Sequence, residues 1–183
     1  MGMPYFIAVE KFSPHSGQAW QEYIAWSGLN HLREVVSLDI LLCAPVVDEL
    51  TAEDWNYNVQ ENYLTDYFHD LDYLLRRVDT FDHINILAVL LNPESDARYL
   101  WADERFEFLG YDLIERTTGV SALTNCGGFD QAFANDDLSP VGLLTAYDDA
   151  CKVQNLLKMH YPDDPHADCD LWAIWRMNRG SAT

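Results

Sequence analysis

The chain predicts an α/β fold, α+β by stricter naming: a mixed sheet of about five to six strands with three main helices packed on it. Three observations carry this. Short apolar or alternating runs of strand length are interleaved with stretches whose apolar residues recur at helical spacing. Pro14, Gly28, Pro45 and Pro162 fall at the ends of those runs. Hydrophobic residues make up 49% of the 183 and aromatics 13%, enough for a continuous core and too many for a disordered chain.

The elements follow in order. Residues 4–11, PYFIAVEK, read as a first strand, broken at Ser13-Pro14. SGQAWQEYIAWSG then places Trp20, Tyr23 and Ile24 on one helical face and ends near Gly28. In 32–42, Leu32, Val36, Leu38, Ile40 and Leu42 alternate with a partly polar set, which predicts a second strand ending before Pro45. A polar connection over 46–62 leads to a helix over 63–78, whose stripe is Leu64, Tyr67, Phe68, Leu71, Leu74, Leu75 and Val78. Residues 83–92, HINILAVLLN, are apolar at both parities, which predicts a central strand covered on both sides. FEFLGYDLIE and GVSALTNC flank a short turn with Gly119, which reads as a hairpin, with Gly110 marking a bulge. Thr145 is a good N-cap, with Asp148 three residues on, for a helix with Ala146, Ala150, Val153, Leu157 and His160 on its inner face; Pro162 stops it. CDLWAIWRM, 169–177, reads as the last strand, giving roughly β-α-β-α-β-ββ-α-β.

The length fits a single domain over 1–183, with 93–105, PESDARYLWADER, as a candidate internal linker that Leu100 and Trp101 tie to the core. No apolar run approaches the roughly 18 residues of a membrane span. The opening MGMPYFIAVEKF lacks the basic and apolar regions of a secretory leader. Cys43, Cys126, Cys151 and Cys169 include no CxxC pair. Together these predict four reduced thiols and a cytoplasmic location.

Charge narrows the partners. Thirty acids face eleven Lys and Arg, a formal net charge of −19. Between Glu34 and Leu75 there are ten acids and neither Lys nor Arg. Such a field repels nucleic-acid phosphates and anionic lipid, so neither nucleic acid nor a membrane is expected as a partner. It attracts a basic protein or a cation; the competing reading is that the charge simply keeps the protein in solution. There is no P-loop, GxGxxG or HExxH pattern, and no cofactor is expected.

Three stretches carry candidate chemistry. Cys126 stands directly before Gly127-Gly128, where a sharp turn would expose amides to an oxyanion; a cysteine nucleophile there needs a base, usually His. The competing reading is an inert buried thiol at a strand exit. In HYPDDPHADCD, His160, His166 and Cys169 are candidate metal ligands, although H-x5-H-x2-C matches no standard zinc spacing; the competing reading is a helix-to-strand connection with solvated acids. In AEDWNYN, Trp55 and Tyr57 are flanked by Glu53 and Asp54, the pairing of aromatic anchors with a charged rim found at protein interfaces. Against it stands a loop whose Trp tucks into the core. The resulting expectation is an acidic, cytosolic protein-binding module of inhibitory, immunity-like type. The alternative is a small enzyme using Cys126 or a metal in the 160–170 loop.

Overall fold

The structure, a computed structural model, describes residues 2–47, 49–60, 64–78, 82–126 and 128–178. Among these residues four strands form one sheet: β1 (Tyr5–Glu10), β2 (Ile84–Leu91), β3 (Phe106–Glu115) and β4 (Cys169–Met177). Their order is β1-β2-β4-β3, and each neighbouring pair is antiparallel. The fold is therefore α+β, with an antiparallel rather than a mixed sheet and fewer strands than the five to six predicted. Among the described residues three α-helices accompany it: α1 (Gln18–Ser27), α2 (Leu71–Arg77) and α3 (Tyr147–His160). No helix among the described residues is long and apolar enough to cross a membrane.

Residues opposite one another in an antiparallel pair share a face. One row runs Phe6–Ala88–Trp175–Phe108. Trp101 closes on this face, its ring 6.5 Å from Phe6, 5.4 Å from Phe106 and 5.3 Å from Trp175. The anchor predicted for the 93–105 segment is thus present at Trp101, and strands on both sides of that segment pair in the same sheet. The opposite face carries the rows Ile7–Leu87–Arg176–Glu107 and Leu91–Trp172–Asp112. This is the face on which the polar groups converge.

Neither of the two missing strands joins the sheet: the one after Gly119 bridges the edge of β3 once, and 32–42 bridges only Phe12, beyond the end of β1. In 32–42, Val35 makes one bridge to Phe12, and the chain then turns. Ser37 and Asp39 end the extension: Ser37 Oγ accepts from Asp39 N, and Asp39 Oδ1 accepts from Leu41 N and Leu42 N. Such side chains compete with a strand ladder for backbone donors. After Gly119, Ile114 and Ser121 make a single bridge, and Ser121 Oγ then turns to serve Asp112 and the amides of Leu123 and Thr124. Tyr111 with Leu144 covers β3 further along, and Phe68 and Pro45 cover β1. Both outer strands are covered in this way, which removes the edges that invite aggregation.

Helix α2 is shorter than the predicted 63–78, and Tyr63 lies outside the described residues. Phe68 exchanges both backbone hydrogen bonds with Phe6 at 2.8 Å, so the chain is extended there. Asp70 is the N-cap, its carboxylate accepting from Tyr73 N at 2.8 Å, and the helix begins at Leu71. Leu71, Leu74 and Ile86 are buried as their patterns demand. The cap of α3 is Ala146 rather than Thr145, whereas Asp148 and Asp149 sit in its first turn and Lys158 and His160 in its last. Ala150, Val153 and Leu157 form its buried face; His160 is exposed.

Candidate functional site: an exposed tryptophan on a pinned acidic turn

The acidic turn over 49–58 is held from inside by Asp54, whose side chain is fully buried. Its carboxylate accepts from Thr51 N (2.6 Å), Thr51 Oγ1 (2.8 Å), Tyr73 Oη (2.8 Å) and Arg77 Nε (2.9 Å). Burial alone would raise this carboxyl, but the bonds from Arg77, Thr51 and Tyr73 outweigh burial and hold it well below the ordinary range. Asp54 was expected in a binding rim. It is instead the anchor that ties the turn to α2, because Arg77 and the Tyr73 hydroxyl converge from two successive helical turns. Tyr57 is half-buried and stacks on Tyr73, the centroids 3.9 Å apart and the planes 13° from parallel. Arg77 also donates to the Glu49 carbonyl at 3.0 Å, and the Gln60 amide donates to the Trp55 carbonyl.

What this scaffold presents is Trp55, 49% exposed, between exposed Glu53 and exposed Asn56. Glu49, Asp70 and Asp72 are exposed as well. A large aromatic half in water on a turn fixed by these six hydrogen bonds loses little conformational entropy when covered. Among the described residues five arginines are engaged in ion pairs: Arg77–Asp54, Arg98–Asp96, Arg105–Asp103, Arg116 with Asp168 and Asp170, and Arg176–Glu34. Much of the scarce positive charge is thereby neutralised locally, leaving the acidic excess to water.

The Cys126 and 160–170 stretches, separate in sequence, meet in space. The Phe129 ring lies 4.8 Å from that of Tyr161 and 5.4 Å from that of His166, and Gln131 N donates to Tyr161 Oη at 3.1 Å. Their chemistry is nevertheless muted. Burial pushes the Cys126 thiol up to about 11, and Sγ donates to the Ala122 carbonyl at 2.7 Å. A thiol so placed stays protonated at neutral pH, the reverse of an activated nucleophile. Gly127 lies outside the described residues. Cys169 is buried, its thiol pushed up by burial, and it donates to the His166 carbonyl at 3.0 Å. His166 Nδ1 lies 2.9 Å from Asp164 Oδ1, and His160 faces water at the end of α3. Among the described residues no three His, Cys, Asp or Glu side chains are arranged to hold a metal ion. All four cysteines are free thiols.

Two features escaped the sequence reading. The first is a buried carboxylate network on the polar face of the sheet. Asp112 accepts from Ser37 Oγ (2.5 Å), Ser121 Oγ (2.6 Å) and Leu113 N (2.8 Å), while Asp39 Oδ2 accepts from Ser121 N at 2.8 Å. Burial pushes Asp112 up to about 6, the serines and Leu113 N restraining the rise. The second is a pair of exposed apolar side chains, Ile40 at 46% and Leu41 at 71%, on the turn that Asp39 closes. A signal for it was present: three consecutive apolar residues, Ile40 to Leu42, break the alternation a half-buried strand requires. No protein-family model matches this chain, and neither a curated protein in sequence nor a solved structure in fold matches it.

Proposed function

We propose that this protein is an acidic protein-binding module that covers the basic surface of a partner and inhibits it by occlusion, working in the reducing environment of the cytoplasm. The observation that carries the reading is Trp55: an exposed aromatic, rigidly mounted by a buried carboxylate, on a surface where exposed Glu49, Glu53, Asp70 and Asp72 outnumber the exposed Arg76. Aromatic anchors supply most of the free energy at such contacts, and the surrounding charge sets encounter rate and selectivity. The four free thiols agree with a reducing compartment.

The test is affinity capture from an extract of the native cell at low and at high salt, with wild type, Trp55→Ala and Glu53→Lys as baits. A basic protein retained by wild type at low salt, depleted at high salt and lost with Trp55→Ala is the expected result. Retention of the same proteins by wild type and Trp55→Ala would overturn the reading. Both substitutions sit at exposed positions, so the fold should survive them, and a thermal melt checks this.

A further inference from the structure

Helix α1 ends at Gly28, and at that end an open cleft of about 550 Å³ lies against the segment over 130–136. Asn30, His31, Asp130, Asn135 and Asp136 line it, with buried Phe133. Phe133 and Asn135 also line a pit of about 20 Å³ that reaches Trp26, Ser27 and Thr124. A water needs roughly 10–15 Å³ on the same measure, so the pit has room for one water-sized group. No residue of the Trp55 turn lines either space.

Four features select the occupant. The first is open negative charge. Asp130 and Asp136 are exposed, and neither carboxylate has a partner among the described residues. Neither Lys nor Arg lines the cleft or the pit, and His31 turns Nε2 to the Leu138 carbonyl at 3.1 Å. The second is α1, whose C-terminus, the negative end of the helix dipole, meets the cleft at Gly28. The third is Trp26, 56% exposed at the pit, since the face of an indole attracts a cation. The fourth is Thr124. It lines the pit and is 3% exposed, and its buried Oγ1 has no hydrogen-bond partner among the described residues. A buried hydroxyl ordinarily has one, and an N–H donor in the pit would supply it. All four favour a cation that carries N–H groups and disfavour an anion.

Size and charge count narrow the class. The cleft falls within the roughly 300–1,000 Å³ of small-molecule sites. Among the described residues no three His, Cys, Asp or Glu side chains are arranged to hold a metal ion, so the cation is organic. Two open carboxylates are neutralised by two positive charges, and Phe133 with the Trp26 ring offers apolar surface to the carbon chain between them. We propose that this cleft binds a small aliphatic diamine, one ammonium at the pit beside Trp26 and Thr124 and the other held by Asp130 and Asp136. The inference goes beyond the reading of a protein-binding module and does not rest on it.

The test titrates diaminobutane, butylamine, butanediol, calcium and a capped Gly-Lys-Gly peptide separately into the ¹⁵N-labelled full chain. The buffer holds about 0.15 M NaCl, which screens the diffuse field of the acidic surface beyond about 8 Å. The expected result with the diamine is saturable amide shifts confined to residues 26–31, 124 and 128–136. Butylamine should bind at least tenfold more weakly, and butanediol should give no shifts. Asp130→Asn, Asp136→Asn and Trp26→Ala, all at exposed positions, should each weaken the diamine at least fivefold. Thr124→Val should weaken it while leaving the thermal midpoint unchanged, because the hydroxyl removed has no partner to lose. Shifts spread over the acidic surface, butylamine or calcium binding as tightly as the diamine, or indifference to all four variants would overturn the proposal. A lysine peptide that binds these residues more tightly than the diamine would also overturn it, and would make the cleft a protein contact.

Discussion

Two aspartates, Asp39 and Asp54, each close a turn from within and leave the next side chain, Ile40 or Trp55, exposed to water. Removing Asp54 leaves Tyr73 Oη and the Thr51 amide without an acceptor and Arg77 without its counter-ion. Asp54→Ala should therefore cost about 3 kcal/mol, the low end for breaking a buried pair because Arg77 is partly solvated, as read from urea unfolding. A shift of the midpoint within error of wild type would contradict the anchoring role. The Asp54 carboxyl is held below its ordinary value, so its contribution is present above about pH 4 and is lost as pH falls further. Asp112 acts with the opposite sign. Its folded value is raised from 3.8 to about 6, so between these values the folded state keeps a proton that the unfolded state releases, and stability falls as pH rises through that window. Asp112→Asn removes this titration while keeping an acceptor for Leu113 N. Relative to wild type, the variant should gain up to about 3 kcal/mol between pH 4 and pH 7, and a difference that does not change with pH would refute the assignment. None of this was legible as pairing, since the partners lie far apart in the chain: Ser37 with Asp112, Asp54 with Arg77. What the sequence does display is the residue type. An Asp or Ser inside an apolar alternation competes for backbone amides, and Asp39 does so here.

Local pattern was enough for the elements whose partners do not alter them. β2 and β4 are apolar at nearly every position and occupy the centre of the sheet, where both faces are covered. α1 ends at Gly28, whose φ of 71° is the left-handed conformation that glycine adopts without strain. The misread elements are those decided by side chain–backbone competition or by neighbours. The 64–70 stretch has helical spacing, yet Phe68 pairs with β1 and Asp70 restarts the chain as a cap. Gly110 was legible as a bulge, and the register between β3 and β4 does shift between Phe108 and Gly110. The reason for glycine there is not in the sequence: φ is +146°, and a Cβ would lie 2.5 Å from the Leu144 carbonyl oxygen. Gly110→Ala should force the Leu144 edge cover away from β3 and cost about 1–3 kcal/mol, read as a lowered thermal midpoint. An unchanged midpoint would mean that the 143–144 segment yields freely.

For the molecule as a whole, composition was the most legible property and topology the least. The charge of −19 needs no coordinates, and the ion pairs that engage five arginines leave the acidic excess on the surface. Self-repulsion of that excess destabilises the compact state and is screened by salt. The thermal midpoint should therefore rise between 0.01 M and 0.15 M NaCl, as the Debye length falls from about 30 Å to about 8 Å; a falling midpoint would show that the ion pairs outweigh the repulsion. The strand order was out of reach because β4, last in sequence, inserts between β2 and β3, a pairing set by long-range packing. The candidate site was half legible. Trp55 and Glu53 are exposed where the polar loop suggested, whereas Asp54 and the stacked Tyr57 serve as support. The most direct test of the central claim, that an acidic field steers a basic partner onto Trp55, is the association kinetics of the captured partner as a function of ionic strength. The account predicts an on-rate that falls steeply with salt and slows with Glu53→Lys, and an off-rate raised roughly 30-fold by Trp55→Ala, the equivalent of about 2 kcal/mol. An on-rate indifferent to salt, with an off-rate unchanged by Trp55→Ala, would contradict it.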